Sequence, residues 1–378
     1  MTIKGNKGEW SEIYAFLRLL ADGKLFAADE KLNRLRNTYF PIIEIVREDT
    51  RGMRYVYRHN TEAADVEIFL NGKQIMKIPA TDFDIEAKRL LNFIKNGKGS
   101  SLCFPKTEAF LKDIHVEKLK APSLDKSDIN IRIHDTQTGY ESVVGFSIKS
   151  TLGGQSTLLN ASMATNFIYR IRGLEGGMAS EIRSLDSYSA VEYAVDQNTM
   201  SKINSINTRR KFKDRIKTIT NNGGELIFDS MENDTFSENL MMIDGHMPQI
   251  VATMLVGYYT EKATTCIELS EYVGKIDPLN RRRKNYEHNI REMLGAVALG
   301  MKPTTEWDGK DEASGGYIIV NPDGDVLAYH IHNRDAFKGY LLNNTKFDSP
   351  SGKRYGHCDL YEEEGELLVK LNLQIRFI

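Results

Sequence analysis

Apolar residues recur at helical spacing in the opening segment, where Trp10, Ile13, Tyr14, Leu17 and Leu20 share a face and Gly23 stops the run. Three segments rich in β-branched and aromatic residues follow: FPIIEIVRE, RGMRYVYRH and ADVEIFLNGKQIMKI, the last folding back at Asn71-Gly72 as a hairpin. The helical period returns in DFDIEAKRLLNFIKNG, which ends at Gly97, and again in a short helix within FPKTEAFLKD. Strand-like INIRIHD, a turn at TQTG and the strand YESVVGFSIKS come next, and STLLNASMATNFIYRI reads as a helix. This α, β, α, ββ, α order predicts an α/β (α+β) fold around one mixed central sheet flanked by helices.

Beyond the Gly-Gly pair at 176–177 the pattern is less regular. It passes through ASEIRSLDSYSAVEY, the basic TRRKFKDRIKT and HMPQIVATMLVGYYTE to a helix around EHNIREMLGAVALGM. The end is β-rich: GGYIIVNPDGDVLAYHIHN predicts a hairpin through Pro322-Asp323-Gly324, and ELLVKLNLQIRFI alternates like a closing strand. A chain of 378 residues suggests two domains at roughly 150 residues each, divided here as 1–175 and 176–378, or one large decorated unit.

Composition narrows the class of protein. Lys and Arg number 50 against 52 Asp and Glu, a formal charge of −2, so a polyanion must be held by local basic patches rather than bulk charge. Cys103, Cys266 and Cys358 lie far apart in no zinc-binding spacing, which fits a reducing cytoplasm. The apolar N-terminal stretch is broken by Glu12 and Arg18, so neither a signal peptide nor a membrane association is expected.

The segment KSDINIRIHDTQTGYESVVGFSIKS carries the chemistry. A turn centred between Gln137 and Thr138 sets an antiparallel register in which paired residue numbers sum to 275, placing Asp128 opposite Ser147. Side chains alternate, so Lys149 emerges on the face of Ser147, and a carboxylate, a hydroxyl and an ammonium gather at the open end of the hairpin. A carboxylate can hold a hard divalent cation and a nearby Lys can orient or deprotonate an attacking water, the needs of phosphodiester hydrolysis. The spacing follows the D…(D/E)xK pattern of PD-(D/E)xK nucleases, with Ser147 where an acid is usual. A second acid is then required, and Asp135 and Glu141 compete for it from the turn end. A cross-strand surface pair is the plain alternative for these residues.

Read together, NKGEWSEIYAFLRLLADGKL, SDINIRI, GFSIKSTLGGQSTLLNAS, ATNFIYRI, YLLNNTKFDSPS and KLNLQIRF resemble the HpaII family of type II restriction endonucleases. The resemblance implies a PD-(D/E)xK core in 1–175, a DNA-recognition and dimerisation region in 176–378, and Mg2+-dependent cleavage of double-stranded DNA at a short palindrome, CCGG for the founding member. It also implies a cognate DNA methyltransferase acting on the same site. Asp128, Ser147, Lys149 and Glu12 are carried over as the catalytic set, with Asp128 and Glu12 as metal ligands, Glu12 coming from the opening helix. A homodimer follows from the two-fold symmetry of a palindrome. A non-catalytic DNA-binding protein on a nuclease fold, marked by Ser147, and a repair or structure-specific nuclease are the competing readings.

Candidate DNA contacts follow Lys149. If a helix starts after the Gly-Gly turn, Ser156 near its N-terminus suits a phosphate, and the amides of Gln155 and Asn160 suit base edges. Capping explains Ser156 as well, and ordinary polar packing explains Asn160 and Asn166. Two basic clusters, Arg209-Arg210-Lys211 with Lys213, Arg215 and Lys217, and Arg281-Arg282-Arg283 with Lys284, are candidates to neutralise phosphates. A solvated face is the usual role of such runs. His330 and His332 share a strand face but lack a third ligand for zinc.

Overall fold

Asn6 and Glu9 start the first helix reciprocally, Asn6 Oδ1 accepting from the Glu9 amide at 3.0 Å and Glu9 Oε2 from the Asn6 amide at 2.8 Å. Gly23 ends it at φ 61, and a Cβ there would strike the His59 ring. The computed structural model describes residues 3–48, 52–119, 127–136, 139, 141–153, 156–173, 211–221, 223–311, 315–330, 334–350, 354–358, 360–364 and 366–378.

In chain order the first elements are α1 (Lys7–Asp22), β1 (Lys24–Ala28), β2 (Arg34–Glu48), β3 (Arg54–Asn60), β4 (Asp65–Leu70), β5 (Lys73–Pro79), α2 (Ala80–Asn96), α3 (Pro105–Asp113), β6 (Ile129–His134), β7 (Glu141–Ser150), β8 (Thr157–Leu159) and β9 (Asn166–Arg172). Then come α4 (Lys211–Asn221), β10 (Glu225–Met231), α5 (Asp234–Met241), α6 (Met247–Thr260), α7 (Cys266–Ile276) and α8 (Tyr286–Leu299). The chain closes with β11 (Gly316–Val320), β12 (Val326–His330), α9 (Arg334–Asn344), β13 (Thr345–Asp348), β14 (Leu360–Glu363), β15 (Glu366–Asn372) and β16 (Gln374–Phe377). The architecture is mixed α/β. No helix among the described residues is long and apolar enough to cross a membrane.

Two units emerge, Met1–Ser156 with Asp311–Tyr340, and Thr157–Lys310 with Leu341–Ile378. The first holds a nine-stranded sheet in the order β1-β12-β11-β7-β6-β2-β3-β4-β5. The long β2 pairs through its first half with β1 and through its second with β3, so β1, β12, β11, β7, β6 and β2 close on themselves as a barrel. Asn71 and Gly72 both take positive φ, as a two-residue hairpin between β4 and β5 requires. Trp10, Ile13, Phe16, Leu17 and Leu20 of α1 are buried in one core with Ile129, Ile131, Phe146, Ile148, Ile318 and Val320. At about 1.5–3 kcal/mol for each fully buried large side chain, this face fixes α1 against the sheet.

The second unit contains the four-stranded antiparallel sheet β10-β9-β15-β14 and the three-stranded sheet β13-β16-β8. It corrects two expectations. The segment STLLNASMATNFIYRI is not a helix: it forms β8, a one-turn 3-10 segment at Met163–Thr165, and β9. In β9 Phe167, Tyr169 and Ile171 are buried at alternate positions and both edges are paired, by β10 and β15, so lateral pairing overrides a sequence that also fits a helical period. The closing segment is two strands, since the chain changes sheets at Leu373, whose amide bonds the Thr165 carbonyl at 2.9 Å.

Candidate active site

The hairpin β6–β7 adopts the expected register. Ile129 pairs with Phe146 and Asn130 with Gly145, and the Asp128 amide donates to the Phe146 carbonyl at 2.9 Å, so Asp128 falls opposite Ser147. Burial alternates accordingly. Phe146 and Ile148 face the core, while Ser147 and Lys149 are half-buried on the other face. Asp128 Oδ2 accepts the Ser147 hydroxyl at 3.1 Å and the Ile148 amide at 2.7 Å. Glycine at 145 makes this geometry possible, because a Cβ there would come within 2.6 Å of Cβ and Oγ of Ser127, the residue that leads into Asp128.

Asp135 and Glu141 belong to the opposite end. Glu141 pairs with His134 beside the turn, and Asp135 is buried there, its carbonyl accepting the Gly139 amide. The first helix, by contrast, reaches the Lys149 end: Ser150 Oγ donates to Ser11 Oγ at 2.8 Å. Ser150 lies on the core face of β7, so α1 packs behind the strand from Lys149. The charge of Glu12 bears on Arg47, a buried guanidinium that donates to the Lys118 and Leu119 carbonyls at 3.0 and 3.1 Å. Burial lowers the Arg47 pKa, and the neighbouring Tyr57 and Glu12 oppose that shift.

One neighbour was not foreseen. Strand β11 runs parallel to β7 with Tyr317 beside Ser147 and Ile319 beside Lys149. The Lys149 ammonium lies 5.5 Å from the centre of the Tyr317 ring. Burial, and then the Asp128 charge, push the Tyr317 phenol far above its ordinary range, so it stays un-ionised. The sequence predicts GGYIIV as one arm of a hairpin; nothing local in it names β7 as its partner.

Among the described residues no three His, Cys, Asp or Glu side chains converge on a point that would hold a metal ion. Asp128 Oδ1, however, accepts no hydrogen bond among the described residues, and a hexacoordinate hard cation commonly takes one or two protein carboxylates, with waters and substrate phosphates completing the set. The donor set is compatible with such an ion.

The profile of the HpaII restriction endonuclease family matches residues 6–377. This chain belongs to that family. Type II restriction enzyme HpaII of Haemophilus parainfluenzae is 38% identical over 379 residues, covering 99% of this chain and 98% of that protein. No solved structure matches. As a family member the chain is a type II site-specific deoxyribonuclease, a hydrolase that binds double-stranded DNA.

A family member must grip duplex DNA, and the structure sorts the candidate contacts. Gln155, Arg209, Arg210 and His332 lie outside the described residues, as does ASEIRSLDSYSAVEY. Ser156 is half-buried and Asn160 exposed, but they flank the strand β8, so no helix N-terminus forms there. Asn166 is wholly buried and donates to Glu232 and to the Tyr355 carbonyl, a packing role. Lys211 opens α4. On that helix Arg215 is 2% exposed and donates to the Cys358 carbonyl at 2.7 Å, while Lys213 lies 3.7 Å over the Tyr258 ring, its pKa pushed down to about 8 by burial and then by Lys217. The helix thus turns part of its charge inward.

The second cluster divides similarly. Arg281 is bound to both oxygens of Asp244, at 2.8 and 3.0 Å, and to Asn285 Oδ1 at 3.1 Å, so its guanidinium is engaged within the protein. Arg282 and Arg283 are exposed. His330 ends β12.

Proposed function

We propose that the open end of the β6–β7 hairpin is the cleavage centre of a Mg2+-dependent endonuclease acting at a short palindrome of the CCGG kind. The observation that carries this reading is the Asp128 carboxylate, oriented by Ser147 and the Ile148 amide with Lys149 on the same strand face. Unit 1 is read as a PD-(D/E)xK core because it combines this hairpin with a helix packed behind it. Asp128 Oδ1 would hold the cation, with Glu12 reaching it around the end of β7. When bound, such an ion polarises the scissile phosphate and lowers the pKa of an attacking water.

The chain's own groups divide the remaining work. Ser147 and the Ile148 amide hold Asp128 in place, and Lys149 directs three N–H donors toward phosphate and water. Exposed Arg282, Arg283 and Asn160, with Ser156, are the proposed DNA contacts, and Gln155, Arg209, Arg210 and Lys211 belong to the same proposal. A homodimer would present two such centres to a two-fold symmetric site, and a cognate methyltransferase would protect it. Digestion of a plasmid of known sequence, with Mg2+ or with EDTA, tests the reading. Discrete fragments with shared end sequences only when Mg2+ is present support it, whereas EDTA-resistant cutting or fragments without a common end sequence contradict it.

A further inference from the structure

The face of the sheet that bears Ser147 and Lys149 continues sideways into aromatic residues. Tyr317 stands beside Ser147 on β11, and Tyr329 stands beside Tyr317 on β12. Phe337, in the part of α9 that belongs to the first unit, meets the Tyr317 ring edge-on at 5.0 Å, and Tyr340 stacks on Tyr329 at 4.4 Å. Tyr317 is 3% exposed, so its ring is held on several sides and has no room to turn away from β7. Lys149, in contrast, is half-buried and forms no ion pair among the described residues. The Tyr317 ring, 5.5 Å from Nζ, is the partner that the structure offers its charge.

We propose that Tyr317 is a positioning residue for Lys149: the buried ring holds the ammonium over its face and so keeps it at the reacting phosphate without consuming a hydrogen bond. The proposal rests on the reading of Lys149 given above. A lysine side chain has four freely rotating bonds, and its placement must be bought from some interaction. A carboxylate partner would order it by taking up one or more of its N–H donors and much of its charge. A ring face attracts the cation through its quadrupole and leaves all three donors free for water and phosphate. The neutrality of the ring is secured by its surroundings, since burial and the Asp128 charge both disfavour a phenolate. The second half of the GGYIIV strand therefore packs the core through Ile318 and Val320 while its Tyr317 serves the site on the other face.

The test keeps the shape of the ring and changes only its electrostatics. Tyr317 is replaced by phenylalanine and by phenylalanine carrying one, two or three ring fluorines, and single-turnover cleavage of a duplex that the wild type cuts is followed with Mg2+. Tyr317→Phe, which keeps the ring and lacks only the hydroxyl, is the reference against which the fluorinated series is read. Successive fluorination should then slow the chemical step, by about 2-fold to 30-fold for the full series, the range that about 0.5–2 kcal/mol of cation–π attraction gives at 1.36 kcal/mol per tenfold. KM and DNA affinity should hold constant, which a merely structural role would not require. A flat series, or a loss that appears in affinity instead of rate, overturns the proposal. Lys149→Ala run alongside separates the two claims: if it still cuts, the reading of Lys149 fails, and if it is inactive while the fluorinated series is flat, only the role of Tyr317 fails.

Discussion

The Asp128 carboxylate accepts the backbone amide of Ile148 at 2.7 Å, so the strand that carries Lys149 also orients the acid opposite it. An amide cannot rotate away as a side chain can. The distance between acid and lysine is thereby set by the pleat of β7 between Ile148 and Lys149, and a one-residue shift of register would separate the two groups onto opposite faces.

Lys149→Ala is expected to slow cleavage by about 100-fold or more, the usual scale for loss of a group that assists proton transfer, while cognate DNA is bound nearly as tightly. Single-turnover cleavage and a gel-shift titration in Ca2+ check this. Equal losses in the two assays would make Lys149 a phosphate contact.

Glu12→Gln and Ser147→Ala should rank in that order of severity. Gln cannot supply the second anionic ligand, whereas Ser147→Ala removes one of two hydrogen bonds to Asp128 Oδ2 and leaves the Ile148 amide, a change of about 1 kcal/mol or roughly fivefold in rate. Mg2+ titrations of cleavage distinguish them, because Glu12→Gln should also raise the Mg2+ concentration needed. Thermal unfolding serves as the control, since Glu12 also faces the charge of buried Arg47. An active Glu12→Gln with an inactive Ser147→Ala would place the second acid elsewhere.

The arginine cluster should split by function. Arg281→Ala leaves Asp244, which is 19% exposed, without its bidentate partner, and a loss of about 1.5–3 kcal/mol of stability is expected. Burial raises the Asp244 pKa, but the Arg281 and Asn289 hydrogen bonds and the His246 amide hold it below the ordinary carboxylate value. Its contribution is therefore present above the unfolded pKa and disappears as pH falls through the folded one, so the difference between wild type and Arg281→Ala should shrink in acid. Arg282→Ala with Arg283→Ala should leave stability unchanged and lower the salt slope of DNA binding by about one per lost phosphate contact. An unchanged slope returns both to the solvated surface.

His357 should impose acid sensitivity on the second unit. It is wholly buried; its Nδ1 accepts the Asn372 amide at 3.1 Å, so the ring proton belongs on Nε2, facing the Tyr259 hydroxyl at 3.0 Å. Burial, and then the Arg215 charge, push its pKa down to about 3. The unfolded chain, with an ordinary pKa of about 6.5, binds this proton first, so stability is complete above that value and falls as pH drops from there toward about 3. The slope from this group approaches about 1.4 kcal/mol per pH unit. Denaturant unfolding of wild type and His357→Gln at pH 7 and pH 5 checks it: the wild type should lose more stability between the two, and equal losses would refute the assignment.

Local sequence determined the hairpin, its register and the facing of Asp128, Ser147 and Lys149, because a short turn between alternating strands leaves one pairing that buries the apolar face. It also determined α1, whose cap, period and Gly23 terminus are contiguous, and the motifs that carry the family resemblance. Only the tertiary structure decided that β11 lies beside β7 and brings Tyr317 under Lys149, since the lateral partner of a parallel strand is chosen by long-range closure, whose entropy depends too weakly on loop length to single out one pairing. The same holds for β9, a strand because β10 and β15 flank it, and for Arg215 and Arg281, whose charges read as surface until Cys358 and Asp244 are brought to meet them. A periodic pattern records which faces are apolar; it does not record which neighbour arrives to cover them.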